Sequence, residues 1–432
     1  MRKSPAAVAL ERTVLLSRDF VPAEIDDRRI VDALRRPTVA IVVDEANLAT
    51  QVGQTLVVTL AQIATASGAA VRLAFPDLPL AGPQPPILGS KLRRGLLGLL
   101  PDAMPGARPT VGSPRPDDLV FVVGDTPAPR RLGQAWRIWA RLWAGGIASV
   151  SSRVPRCHGS WTTGAALAAP IAGVEVVKSS LRSLLYEAPL VVREQLAPVG
   201  EANVVLSESD EEPDVLDLGP VDFVSGGAIT SSALHSLLRH ARVRAQIRVI
   251  EPDCLALNNA NRYLLMRLGQ IPMLKIEALT SWQTTSVRIA GVPLRMDAAT
   301  IAQLRPFAQR VLVGVDDIPS RWVIQREWPA WLAVGGTVHF TAVVSDHRPG
   351  PGCAGCFHPR DDGVVADIPT AAFVSYLAGA TLCGRLLLDA LGQSTTAARR
   401  ALELASLRLD LPAATWAHPV LALPTCPVPC AA

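Results

Sequence analysis

Apolar and polar residues alternate along this chain in two rounds of the same order. Val39–Val43 is a short apolar β-branched run, Gly53–Ala66 carries apolar residues at helical spacing, and Ala70–Ala74 is a second short apolar run. That order predicts strand, helix and strand, the opening of a parallel βαβ unit. Leu119–Val123 reads as a further buried strand, Trp136–Ala144 as a helix, Ile147–Ser151 as a strand and Thr163–Leu185 as a closing helix. Two Pro/Gly-rich stretches, 79–86 and 101–116, read as surface loops with a short helix between them. Residues up to Pro37 read as an arm or an outer helix.

A second round follows an acidic stretch within 198–220, read as a solvated linker. Asp222–Val224 predicts a strand, Thr230–Arg239 a helix, Ile247–Ile250 a strand and Asn259–Leu268 a long helix. Val311–Val315 predicts a strand, Pro319–Arg326 a helix and Val338–Val344 a strand. The helix beginning near Thr370 matches the one beginning at Thr163, each running from Thr through Ala and Gly into a Leu-rich end. The pattern implies a divergent duplication, with an arm over 1–37, a first α/β unit over 38–200 and a second over 201–432.

Composition narrows the class. The chain has 432 residues, too many for one ordinary core, and its 49% hydrophobic against 19% charged residues describe a folded protein. A formal charge of +4, without a long basic run, gives nucleic-acid binding no electrostatic support. The N-terminus meets charge before any long apolar stretch, and no apolar run is long enough to span a bilayer, so a cytoplasmic location without a membrane partner is expected. The richness in Ala, Arg and Pro suits a GC-rich bacterial genome.

Candidate chemistry lies in the second half. Phe223-Val-Ser-Gly-Gly-Ala-Ile-Thr places Gly226 and Gly227 between a strand and a helix, where bare amides and a helix N-terminus can meet phosphate. Only half of the usual glycine pattern is present, since Val224 and Ile229 stand where glycines are expected, and alone it is weak. Glu251, at the end of the next strand, has the spacing of a ribose-binding acid; the plain alternative is an exposed strand-end carboxylate.

The run Glu251-Pro-Asp253, then Asn259-Ala-Asn-Arg262, then Gly269 and Lys275, resembles the ThiF-type, or ubiquitin-activating, superfamily. That resemblance implies a fold of two Rossmann-like lobes forming a pseudo-dimer within one chain. It implies that Glu251 binds the ribose of ATP, with Asp253 completing the acidic strand end, and that Asn259, Arg262 and Lys275 bind the phosphates. Val313-Gly-Val-Asp316-Asp317 is similar to the family's strand ending in Asp-Asn; Asp316 would hold Mg2+, and Asp317 replaces the Asn. Asp316, Arg262 and Lys275 are thereby the expected catalytic residues.

The first half lacks close-set glycines after its first strand and so resembles the family's inactive lobe. An arginine from such a lobe would reach the other's ATP, with Arg28, Arg29, Arg35 and Arg36 as candidates. The implied activity is adenylation of the C-terminal carboxylate of a ubiquitin-like protein ending in Gly, in a bacterial conjugation pathway of the kind sometimes linked to phage defence. A conjugating-enzyme-like carrier would follow.

Cys353-Ala-Gly-Cys356 and Cys426-Pro-Val-Pro-Cys430 form two knuckles whose thiolates suit a structural Zn2+. A redox pair is the rival for the first knuckle, and the second spacing departs from the family's C-x-x-C. The interval 357–365, where compact relatives place a transfer cysteine, holds none. Direct release of the adenylate, an oxyester on Thr370 or Ser375 with His358 as the nearby base, or a cysteine from a partner all stay open. Two rival functions remain: adenylation of a peptide C-terminus in natural-product maturation, which predicts an N-terminal peptide-binding module, and a non-catalytic scaffold, which predicts a broken ATP site.

Overall fold

The computed structural model describes residues 3–130, 132–185, 194, 196–361, 363, 368–393, 400–405 and 415–430. Part of the interval 357–365, namely Asp362, Val364 and Val365, lies outside the described residues.

The first sheet contains β1 (Thr38–Val42), β2 (Ala70–Ala74), β3 (Thr110–Val111), β4 (Leu119–Val123), β5 (Ala135–Arg141), β6 (Ala144–Ser149) and β7 (Ala202–Val205), in the order β3-β2-β1-β4-β5-β6-β7. The second contains β8 (Leu216–Val224), β9 (Val243–Ile250), β10 (Val287–Val292), β11 (Arg310–Val313), β12 (Trp331–Val338), β13 (Thr341–His347), β14 (Arg400–Ala405) and β15 (Thr415–Pro419), in the order β10-β9-β8-β11-β12-β13-β14-β15. In each sheet five strands run parallel in a 3-2-1-4-5 order and the rest return antiparallel. The repeated order supports the duplication read from the sequence.

Three short helices, α1 (Pro5–Ala9), α2 (Glu11–Ser17) and α3 (Asp27–Leu34), form the N-terminal arm. Then come α4 (Glu45–Leu48), α5 (Gln51–Ala66), α6 (Leu92–Ala103), α7 (Thr163–Arg182), α8 (Ala228–Leu237), α9 (Lys275–Thr280), α10 (Ile301–Leu304), α11 (Ile318–Gln325), α12 (Ala354–Phe357) and α13 (Ala372–Ala390).

The lobes meet through α5, α7, α8 and α13. These helices are apolar almost all round because both faces are covered, and one continuous buried core runs from Val39 in the first sheet to Phe223 in the second. Against the expectation that no apolar run is long enough to span a bilayer, α7 and α13 are long and apolar enough to do so, but 94% of each apolar stretch is buried inside the protein. Small residues set the helix spacing. A Cβ on Gly379 of α13 would lie 2.4 Å from the carbonyl oxygen of Ile229 and 2.5 Å from Cβ of Ser232, both fixed on or beside α8. Gly379→Val should therefore cost about 3 kcal/mol by overpacking. Urea denaturation of the two proteins reads this, and an unchanged midpoint would mean the helices separate freely.

Several sequence expectations are corrected. Trp136–Ala144 is not a helix: Trp136, Ile138 and Ala140 are buried while the residues between them are less so, a period of two, and β5 pairs antiparallel with β6. The long helix expected over Asn259–Leu268 is instead irregular chain between short 3-10 turns at Leu257–Asn259 and Leu268–Gln270. The boundary drawn at 200/201 cuts ahead of β7, which pairs with β6 and so belongs to the first sheet.

Candidate nucleotide site and cysteine knuckle

In the second lobe β8 is flanked by β9 on one side and β11 on the other. The chain direction of the connections reverses there, so the loops at the strands' carboxyl ends part and leave a crevice. A cleft of about 350 Å³ occupies it. Gly227, Glu251, Asp253, Arg262, Lys275 and Asp316 all line this cleft.

Ser225 makes the turn after β8, at a φ of +95° that side chains rarely adopt. Its Oγ accepts from the amide of Gly227 at 2.8 Å. The Gly226 amide donates to Glu251 Oε2 at 2.8 Å, and a Cβ there would lie 2.9 Å from Glu251 Cγ. Gly226 thus faces the root of the Glu251 side chain, and it is Gly227, at the N-terminus of α8, that opens on the cleft. Glu251 also accepts from the Asp253 amide at 3.0 Å.

Lys275, buried at the first position of α9, reaches Asp253 Oδ2 at 2.9 Å and Glu251 Oε1 at 3.5 Å. Burial pulls its ammonium down, but Tyr263, Glu251 and Asp253 outweigh this and hold it above its ordinary value. It stays charged at neutral pH. Arg262 is half-buried and lowered by burial. Asp316 keeps solvent contact through the cleft, yet the surrounding protein displaces enough water to push its carboxyl above the ordinary range, against the pull of Arg321, Arg262, Lys275 and Arg12.

Asn259 is not on the cleft wall. Its Oδ1 accepts from the Ala256 amide at 2.9 Å, closing the turn before it.

Three residues that the sequence reading did not select belong to the site. Arg12, from α2 of the arm, lines the cleft, whereas Arg28, Arg29, Arg35 and Arg36 are exposed and do not. Asn261, fully buried, contacts both the arm and Arg262. Arg321 donates from Nε and Nη2 to the Val315 carbonyl at 3.0 and 2.8 Å, and from Nη1 to His358 Nε2 at 2.8 Å. The only sequence signal for Arg321 was its position five residues after Asp316, and nothing in the sequence brings Arg12 near residue 262.

The matching crevice of the first lobe is filled. Asn47 donates to Asp44 Oδ1 at 2.9 Å and to Asp125 Oδ1 at 2.8 Å, and accepts from the Cys157 amide at 2.8 Å. A Cβ on Gly124 would lie 2.2 Å from Asn47 Oδ1, so this position leaves no room for a phosphate.

The four knuckle cysteines converge, with every Sγ within 4.8 Å of the others. Measured pairs include 3.9 Å for Cys353–Cys356, 3.5 Å for Cys353–Cys426 and 3.4 Å for Cys356–Cys430. Four thiolates about 2.3 Å from a tetrahedral zinc stand about 3.8 Å apart, so the set fits that ion. Gly355 is required for the fit, because a Cβ there would lie 2.7 Å from Val428 Cγ2 and 3.1 Å from Cys426 Sγ. The other thiols do not read as nucleophiles in a common way: burial pushes Cys157 and Cys383 up to about 12, while Cys254 is exposed. Thr370 and Ser375 line the cleft and hydrogen-bond to each other at 2.7 Å; His358 instead accepts from Arg321.

No family model matches the sequence. The chain is 27% identical over 146 residues to the uncharacterized protein y4jF of Sinorhizobium fredii, covering 33% of this chain and 28% of y4jF. Among solved structures, E. coli MccB with ATP aligns at 18% identity with a TM-score of 0.40, over 48% of this chain and 65% of MccB. The microcin C7 biosynthetic enzyme MccB in complex with N-formylated MccA aligns at 18% identity with a TM-score of 0.40, over 48% of this chain and 67% of that one. The chain therefore spans under a third of y4jF and about two thirds of MccB.

Proposed function

We propose that the second lobe binds ATP and adenylates the C-terminal carboxylate of a polypeptide. One observation carries this reading: two acidic side chains at the end of β9, four cationic ones (Arg12, Arg262, Lys275 and Arg295) and the neighbouring carboxylates Asp316 and Asp317 after β11 line one cleft at the sheet's reversal point. In this reading Glu251 accepts the ribose hydroxyls, and the α8 N-terminus with Arg262, Lys275 and Arg12 holds the phosphates. ATP binding then requires Lys275 to turn from Asp253 towards the phosphates.

The polypeptide carboxylate oxygen attacks the α-phosphorus, the bond from that phosphorus to the bridging oxygen breaks, and pyrophosphate leaves with the electron pair. Cationic groups positioned before the reaction stabilise the charge that builds on the phosphate oxygens. Asp316 offers a hard oxygen donor with part of its hydration removed, which suits Mg2+; when bound, that ion would offset phosphate charge. A zinc in the cysteine knuckle lies outside this chemistry and is structural in the proposal.

The acceptor class is a small ubiquitin-like protein ending in Gly or a peptide. The first keeps its place because the N-terminal half is a second lobe with the same strand order. ATP–pyrophosphate exchange by the full chain, with peptides and ubiquitin-like proteins bearing free or amidated C-termini, tests the reading. Exchange is expected only with a free carboxylate, and Arg12→Ala should lower kcat roughly 100-fold. ATP binding without exchange for any member of the panel would replace adenylation with the scaffold reading.

A further inference from the structure

We infer that Asn261 is a positioning residue that fastens the N-terminal arm to the nucleotide cleft, so that Arg12 and Arg262 face the same phosphates; this rests on the reading above.

The geometry is specific. Asn261 is 0% exposed. Its Nδ2 donates to Thr13 Oγ1 at 2.8 Å and to the Thr370 carbonyl at 3.2 Å, and its Oδ1 accepts from Arg262 Nη1 at 2.8 Å. Both amide protons and one oxygen are used. Turning the amide over would set its NH2 against the guanidinium and its oxygen against the Thr370 carbonyl, so the partners dictate one orientation.

Each partner leads to the cleft. Thr13 follows Arg12 directly, and the Arg12 carbonyl accepts from the Thr370 amide at 3.3 Å. Ser17 Oγ donates to the Thr13 carbonyl at 2.7 Å, holding the same turn of α2. Thr370 and Arg262 themselves line the cleft. One side chain therefore joins the arm, the loop before α13 and the phosphate-facing arginine of the irregular 260–267 segment.

No smaller or differently charged residue does all of this. Aspartate keeps the acceptor for Arg262 but cannot donate to Thr13 and Thr370, and it places a negative charge beside the arginine that should meet phosphate. Alanine leaves a buried carbonyl and a buried hydroxyl without their donor, and such groups are costly to leave unmet.

The clamp is tested on the full chain by backbone hydrogen exchange and by calorimetric binding of ATP with Mg2+. In Asn261→Ala and Asn261→Asp, amides of residues 5–17 should exchange at least about 10-fold faster, with α7 unchanged. ATP should bind roughly 10-fold more weakly in Asn261→Ala and in Arg12→Ala, and the double variant should be within about 3-fold of the weaker single, because both changes remove the same contact.

Arm protection unchanged in both variants would overturn the clamp, and so would fully multiplicative losses in the double variant. Faster exchange in α7 as well would show general unfolding in place of a released arm and would also overturn it. Failure of the wild type to bind ATP would instead remove the functional reading, while the arm's protection would still decide whether Asn261 fastens it.

Discussion

Asp316→Ala is expected to lower ATP–pyrophosphate exchange at least about 1,000-fold while the protein melts no lower than the wild type. The size follows from removing the cleft carboxylate after β11 that is left to hold a charge-stabilising group, since its neighbour Asp317 is engaged by the Ser320 amide, and a single electrostatic contact is commonly worth about 100- to 1,000-fold. Stability should not suffer, because the surrounding protein raises the Asp316 carboxyl above its ordinary value. For an acid with a raised folded pKa, the folded state holds the proton more tightly than the unfolded one. Stability is then greatest at low pH and declines as pH rises from the unfolded value through the folded one. Asp316→Asn removes that dependence and should flatten the melting temperature across mildly acidic pH. The same shift places the acid limb of Mg2+-dependent ATP binding above the ordinary carboxylate range, since proton and cation compete for one oxygen pair. A wild-type acid limb unaltered by Asp316→Asn would show that this carboxylate does not hold the cation.

The doubly wound half of each lobe was readable because its signals are local. Val39–Val43 is apolar and buried throughout, Ile247, Val249 and Ile250 are β-branched and buried, and α5 and α13 are apolar over many turns. Trp136–Ala144 misled because Trp136, Trp139 and Trp143 stand at helical spacing while Trp136, Ile138 and Ala140 stand at strand spacing, and only pairing with β6 settles it. The Asn259–Leu268 stretch is apolar because it is covered by the arm and by α9, a tertiary cause that mimics helical patterning. What its irregular backbone gains is freedom to aim Asn261 and Arg262 in different directions from a regular helix.

At the site, residues fixed by strand ends were legible. Glu251, Lys275 and Asp316 follow strands or open a helix, so their spacing along the chain carries their position in space. Asn259 was misplaced since an Asn can close a turn with the same residue spacing that would present it to a phosphate. Arg12 stays invisible in the sequence because 250 residues separate it from Arg262 and only folding of the arm against 257–261 joins them.

Loss of the cysteine knuckle should be the largest single destabilisation in the chain. Purified protein is expected to carry one zinc per chain by elemental analysis, and Cys353→Ser should abolish it, because Cys353 lies within 3.9 Å of each of the other three sulfurs. A structural zinc contributes on the order of 10 kcal/mol to the segments it holds, whereas the apolar contacts of this knuckle centre on Val428 and a few half-buried tryptophans. The tail over 423–430 should become protease-sensitive at once. The effect should also reach the cleft. Trp322 Nε1 donates to the His358 carbonyl at 2.8 Å and Arg321 to its ring, so the turn after Cys356 holds the same arginine that grips the Val315 carbonyl beside Asp316. Chelation should therefore weaken ATP binding in Mg2+ more than in its absence, since the disturbed element is the one that carries Asp316. A chelated protein with an intact tail and unaltered Mg2+ dependence would mean that these four thiols hold their geometry through packing alone.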